Sequence, residues 1–243
     1  DLSGVNLRFR RYNNIYPFDY PSEVTKDVSD ISQSNAGIFT GVLISPEHVI
    51  IANHVRTWVE NAEWTNQGTN ILEFMASDGT VVTAELDVAS YVSSDIVGPG
   101  DYAVYKLKEP ITNPNVKIYN KILNTSSSNE INYPVGSVLY FLTSQNIIAL
   151  SYLPTEFRNF INNRPTEDDI YDNALAFSGD SSSPIFTYSS SLGTIWVGLF
   201  HSSGDYPNPY GIGENLERQE NIDDYLALDG YTIDWVSPTD LYT

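Results

Sequence analysis

Cysteine is absent from the 243 residues, so no disulfide framework braces this chain and no thiolate metal site is open to it. Basic residues are scarce: 12 Lys and Arg stand against 31 Asp and Glu, a formal net charge of −19. A phosphate backbone needs cationic neutralisation, so this balance argues against nucleic acid and anionic membranes as partners. No apolar run approaches the roughly 20 residues that a membrane-spanning helix needs. No calcium loop of the D-x-D-x-D-G type is present, so the acidic clusters at 167–169 and 214–224 read as solvated surface. No metal and no cofactor are expected. The first residue is Asp1 rather than Met, and the expectation is a mature or trimmed, secreted product.

What is present is an ordinary 41% of hydrophobic residues, enough for one large core or two modest ones. Residues 1–33 carry no clear period, and the expectation is a lead-in packed on the body, with one short helix over 22–29. From residue 37 the texture is all-β. Short apolar runs at 38–44, 49–52, 71–75, 81–86 and 102–107 are separated by turn residues, with Ser77-Asp78-Gly79 as a hairpin turn. Residues 113–115 and 124–129 read as a linker, and further strands follow at 137–143, 147–153, 184–188 and 194–200. Many short strands between turns indicate a barrel or sandwich. The acidic segment 215–228 is only loosely periodic. Asn124-Thr125-Ser126 matches a glycosylation acceptor, a match common by chance.

The stretch 177–184, F-S-G-D-S-S-S-P, sets a glycine, an acid and three serines between apolar segments. Alone it is a Ser-rich turn. A serine held in such a loop beside free backbone N–H groups becomes a nucleophile only if a base and an orienting acid join it. Both are found upstream. Apolar residues 49–52 run into Asn53 and His54, and Asp101 opens D-Y-A-V-Y-K-L over 101–107. Alone, His54 reads as a core histidine and Asp101 as a strand cap. His48, in a Pro-Glu-His turn, reads as surface. Asp95 is the rival acid.

Taken together, I-A-N-H (51–54), D-Y-A-V-Y-K-L (101–107) and G-D-S-S-S-P (179–184) resemble the three signatures of the trypsin/chymotrypsin-like serine endopeptidases, in the same order. The spacings of 47 (101 − 54) and 80 (181 − 101) suit that family. The resemblance runs from about residue 37 to 204. It implies two antiparallel β-barrels, over 34–118 and 119–243, the second carrying the acidic tail, with the active site in the cleft between them. It also implies Ser181 as nucleophile, His54 as general base and acid, Asp101 as orienting acid, and the N–H groups of Gly179 and Ser181 as oxyanion hole. Lack of cysteine suits the bacterial branch that resembles glutamyl endopeptidases.

Three departures stand out. Ser182 and Ser183 replace two glycines. The second change is familiar in the glutamyl branch, whereas Ser182 would be strained if its position needs glycine angles. Asn53 replaces an alanine. The chain does not open with the family's small apolar pair, so pairing of Asp180 with a chain terminus is in doubt and a local turn cap is the other role. Leu175, six before Ser181, falls at the pocket floor with Ala176 beside it, and offers no charge for a Lys or Arg substrate. His201, Ser202 and Ser203 fall at the pocket wall. His201 comes one residue later than the histidine of the glutamyl branch, so it faces the pocket if a bulge restores the register, or else faces Asp101, where many relatives place a serine; the pocket side is the expectation, since Ser202 and Ser203 would add donors for an acidic substrate side chain. The implied partner is a protein or peptide substrate, and the protein is expected to be a monomer. Two other readings stay open: a catalytically impaired protease-fold binding module, and an unrelated β-rich glycan-binding domain suggested by 17 Tyr.

Overall fold

The computed structural model describes residues 31–34, 39–56, 59, 70–93, 102–124, 138–142, 147–151, 182, 184–203, 206–211, 216–237 and 239–240. Residues 1–30 of the expected lead-in, with its helix at 22–29, and residues 125–129 of the expected linker lie outside them.

The first half closes into an antiparallel barrel. Its strands are β1 (Ile31–Ser34), β2 (Thr40–Ser45), β3 (His48–Ile51), β4 (Ile71–Met75), β5 (Val81–Ser93) and β6 (Ala103–Leu107), in the order β1-β2-β3-β6-β5-β4. β1 closes it by pairing with both β2 and β4. The lead-in boundary therefore moves: β1 starts at Ile31, inside the segment expected to precede the barrel. The predicted hairpin at 71–86 is present, with Ile71 opposite Glu85 and Met75 opposite Val81.

Burial along the strands explains their composition. In β2, β3 and β6 the residues Leu43, Val49, Ile51, Ala103 and Tyr105 fill the barrel. Their neighbours Val42, Ile44, Ile50, Tyr102 and Val104 point the other way into a second buried cluster. Strands covered on both faces read as continuous apolar runs, as these do. β4 and β5, covered on one face over 71–86, alternate instead.

The second half forms a seven-stranded sheet. Its strands are β7 (Lys121–Leu123), β8 (Val138–Leu142), β9 (Ile147–Ser151), β10 (Pro184–Ser189), β11 (Gly193–Ser203), β12 (Tyr206–Gly211) and β13 (Asp234–Val236). The order is β13-β7-β11-β10-β8-β9, with β12 on β11. β7 pairs in parallel with β11 and with β13. The all-β expectation holds, with one helix of more than a single turn, α1 (Leu216–Ala227), among the described residues.

The acidic C-terminal segment is no loose tail. Ile222 and Leu226 of α1 are fully buried, packed with Val42, Ile50 and Val104 of the barrel and with Phe186 and Trp196 of the second sheet. Gln219, Ile222 and Leu226 form the buried stripe, while Glu217, Glu220 and Asp224 stay outside. Gly230, at φ 81, ends the helix, and the Tyr231 N–H returns to the Leu226 carbonyl at 3.1 Å. The Asn124 amide oxygen accepts from Gln219 Nε2 at 2.9 Å, so the asparagine of the chance-level glycosylation match is engaged with this helix.

Candidate active site

β3 leaves the barrel at Ile51, opposite Ala103 of β6. The chain then turns through a single-turn 3₁₀ helix, Asn53–Val55, closed by Val55 N–H on the Ala52 carbonyl at 3.2 Å. Asn53 and Val55 are buried, and His54 between them is half-buried. A burial pattern of in, partly out, in fastens the turn by its flanking residues. One residue on, Arg56 Nη1 donates to the Tyr91 hydroxyl at 2.8 Å and lies over the Tyr91 ring, which stacks on Tyr105 of the barrel interior. The turn carrying His54 is thus bolted to the barrel on both sides.

The other two motifs arrive at this turn from far along the chain. Tyr102, the residue after Asp101, is fully buried, and its hydroxyl faces Asn221 of α1. Burial pushes the Tyr102 hydroxyl above its ordinary range. Ser182, the residue after Ser181, is also fully buried, and its Oγ accepts the Ala52 N–H at 2.7 Å across 130 positions of sequence. Ala52 lies two before His54. The I-A-N-H and D-Y-A-V-Y-K-L motifs are therefore joined by a ladder and the G-D-S-S-S-P motif by a side-chain bond. Asp101, Ser181, Gly179, Asp180, Leu175, Ala176 and the rival Asp95 lie outside the described residues.

Ser182 adopts φ 68, the left-handed region, as no other non-glycine does among the described residues. The expectation that this position favours glycine angles is met. Sequence reasoning saw the strain but missed the bond that accompanies it. The signal was a hydroxyl standing where the family carries none.

The predicted pocket residues His201, Ser202 and Ser203 sit on β11, opposite Asn208, Pro207 and Tyr206 of β12. Pairing from Gly198 to Ser203 runs without a slip, so no bulge falls between Gly198 and His201. The register shift in β11 comes earlier, where Ile185 faces Gly198 and Phe186 faces Trp196. A β11 irregularity thus falls at Val197, immediately before the Gly198–His201 stretch.

His48 corrects the sequence reading. It is buried, not surface: β3 begins at His48, and α1 with its C-terminal turn covers that end of the strand. Ser45 Oγ and His48 Nδ1 lie 2.7 Å apart, and His48 Nε2 lies 3.2 Å from Asp229 Oδ2. The Tyr225 and Tyr231 rings stand T-shaped to the imidazole, with centroids 5.4 and 5.8 Å away. Lys106 bonds the other Asp229 oxygen and also pairs with Glu47. This is a Ser-His-Asp chain that the sequence reading did not single out, and it is not catalytic machinery. The serine sits on Nδ1 and the acid on Nε2, the reverse of the catalytic order, and Ser45 and His48 are 2% and 0% exposed. No substrate atom can reach them. Burial is the largest influence on His48 and lowers its pKa from the ordinary 6.5, which favours the neutral ring. Lys106 beside Asp229 holds that carboxyl below its ordinary range.

A concavity of about 580 Å³ is lined by the β4–β5 hairpin and residues 108–113. It holds none of the three motifs and no nucleophile–base pair. No cluster of three or more metal-ligating side chains occurs among the described residues.

No protein-family model matches the chain. No curated protein matches it either. Among solved structures, human heparin binding protein aligns with 84% of this chain and 93% of its own, at 12% identity and a TM-score of 0.49. A likeness at that level carries no argument about what this chain does.

Proposed function

We propose that the protein is a serine endopeptidase of the chymotrypsin-like, two-barrel kind, hydrolysing peptide bonds through an acyl-enzyme. The observation that carries this reading is the hydrogen bond from Ala52 N–H to Ser182 Oγ, which couples the residue after Ser181 to the turn bearing His54. Two motifs that the resemblance requires to meet are 130 residues apart and meet there. The β3–β6 ladder, with Ala103 opposite Ile51, supports Asp101 as the third member.

A serine hydroxyl is a weak nucleophile near neutral pH and needs a base. In this mechanism His54 takes the Ser181 proton as Oγ attacks the substrate carbonyl carbon. The N–H groups of Gly179 and Ser181 receive the developing oxyanion. Asp101 fixes the imidazole tautomer and steadies its cation. His54 then gives its proton to the leaving amine, the C–N bond breaks, and an acyl-Ser181 ester remains. Water, deprotonated by His54, hydrolyses that ester and restores the hydroxyl. No cofactor enters. An uncharged pocket floor at Leu175 supports a substrate residue other than Lys or Arg. We place the enzyme outside the cytoplasm and as a monomer.

The test is covalent labelling with a fluorophosphonate probe, followed by peptide mapping. Labelling at Ser181 is expected, with Ser181→Ala and His54→Ala each lowering turnover by roughly 10⁴–10⁶-fold and the double variant hardly worse than either. Asp101→Asn is expected to be severe and Asp95→Asn mild. Absence of labelling, or losses that add, would leave the binding-module reading in its place.

A further inference from the structure

We propose that Ser182 is a positioning residue: its hydroxyl holds the loop carrying Ser181 against the turn carrying His54. The inference rests on the endopeptidase reading and goes beyond the three residues that reading requires.

The geometry makes the bond hard to replace. Ala52 is fully buried, and the β3–β6 ladder ends one residue earlier, at Ile51 opposite Ala103. The Ala52 N–H therefore has neither a strand partner nor water within reach, and the Ser182 Oγ at 2.7 Å meets its need. The bond has a second consequence. A serine at φ 68 is held in a region that L-residues resist, and a fully buried, hydrogen-bonded side chain keeps it there. Glycine would adopt the same angles without strain but could not accept the Ala52 N–H. The two demands on this position are opposed, and the chain has settled for the hydroxyl.

The position of the bond gives it a catalytic consequence. It lies one residue from Ser181 and two from His54. Proton transfer from a serine to an imidazole depends steeply on their separation, and a misplacement of about 1 Å costs up to about 10²-fold in rate. Loosening the two loops relative to each other is therefore expected to slow acylation while leaving substrate binding largely intact.

The experiment compares wild type, Ser182→Gly and Ser182→Ala by three measurements: the rate of labelling by a fluorophosphonate probe, kcat and KM on a peptide substrate, and hydrogen exchange at the Ala52 amide. Ser182→Gly is the informative variant, because it relieves backbone strain and so folds. It is expected to lower kcat and the labelling rate by about 10- to 100-fold with KM within about twofold, and to expose the Ala52 amide to exchange. Ser182→Ala, which keeps the strain and loses the acceptor, is expected to lose thermal stability as well. A residue with only a structural role would make activity follow stability, so a glycine variant that is as stable as wild type but slower supports positioning. A glycine variant with wild-type kcat overturns the proposal, as does an Ala52 amide that exchanges equally fast in wild type and variants. A wild-type protein that never reacts with the probe overturns the endopeptidase reading and this inference together. A reactive wild type with an unaffected glycine variant overturns this inference alone.

Discussion

Ser45→Ala offers a direct test of the buried chain that joins the barrel to the end of α1. Ser45 and His48 are 2% and 0% exposed, and the neutral imidazole presents Nδ1 to the serine hydroxyl at 2.7 Å. The direction of this bond follows the ring tautomer: Ser45 Oγ accepts the Glu47 N–H at 3.1 Å, so with the imidazole proton on Nε2, on the side of Asp229, Nδ1 accepts and Ser45 donates. Alanine removes both roles of the hydroxyl. Glu47 is half-buried, so water can serve its N–H, but nothing reaches His48 Nδ1. An orphaned buried acceptor costs about 1–3 kcal/mol. For a chain of this length, 1 kcal/mol moves the midpoint by about 2–4 °C, so a cost near 2 kcal/mol lowers Tm by roughly 4–8 °C. Thermal unfolding followed by circular dichroism reads this directly. The same pocket fixes the sign of a pH effect. Burial lowers the His48 pKa below its ordinary 6.5, outweighing Asp229 and Glu47, which raise it, and with Lys106 also lowering it. Just below pH 6.5 the unfolded chain therefore binds a proton that the folded chain refuses. Stability from His48 is complete above that value and declines as pH falls toward the folded pKa. Asp229, held below its ordinary 3.8 chiefly by Lys106, adds a further loss at more acid pH. Lys106, raised above 10.5, loses its contribution only on the alkaline side. His48→Gln should remove the slope just below neutrality. A Ser45→Ala loss under about 0.5 kcal/mol would refute the bond's role. Greater stability at pH 5 than at pH 7 would refute the neutral ring, because an ion pair with Asp229 would strengthen as His48 gained its proton.

Two further outcomes are expected. A fluorogenic peptide series varying only the residue before the scissile bond should show poor cleavage after Lys or Arg. Repeating it on His201→Ala decides the pocket wall: a Glu preference that vanishes puts His201 in the pocket, and an apolar preference untouched by the change puts it elsewhere. Gly41→Ala should destabilise the barrel by about 1–3 kcal/mol in denaturant titration, because the added methyl would meet Val49 Cγ1 at 2.7 Å, Ser32 Oγ at 3.1 Å and Ile51 Cγ2 at 3.2 Å; wild-type stability would show that the β1–β2–β3 corner has slack.

The sequence by itself determined what depends on near neighbours. The hairpin at 71–86 was legible because two alternating strands and their turn residues lie within sixteen positions. The runs that became β2, β3 and β6 were legible because burial on both faces demands unbroken apolar composition. The three motifs, by type, order and spacing, carried the resemblance to the chymotrypsin-like endopeptidases. Tertiary structure decided the rest. β12 was hidden by Pro207 and Pro209, which lack N–H donors and suit an edge; β12 pairs with β11 alone. β13 and β7 are three residues each, too short to show a period, and exist because they pair in parallel with each other. His48 looked like a turn residue because its cover, Tyr225, Asp229 and Tyr231, stands some 180 positions away. The helix at 216–227 read as an acidic tail because only its buried stripe is apolar, and that stripe has meaning only against the barrel it meets. Ser182 shows the division most sharply. Its sequence context foretold an awkward backbone angle, since that depends on the residue itself. The hydrogen bond that accompanies the angle could not be foretold, because its donor, the Ala52 N–H, is brought there only when the two halves of the chain fold together.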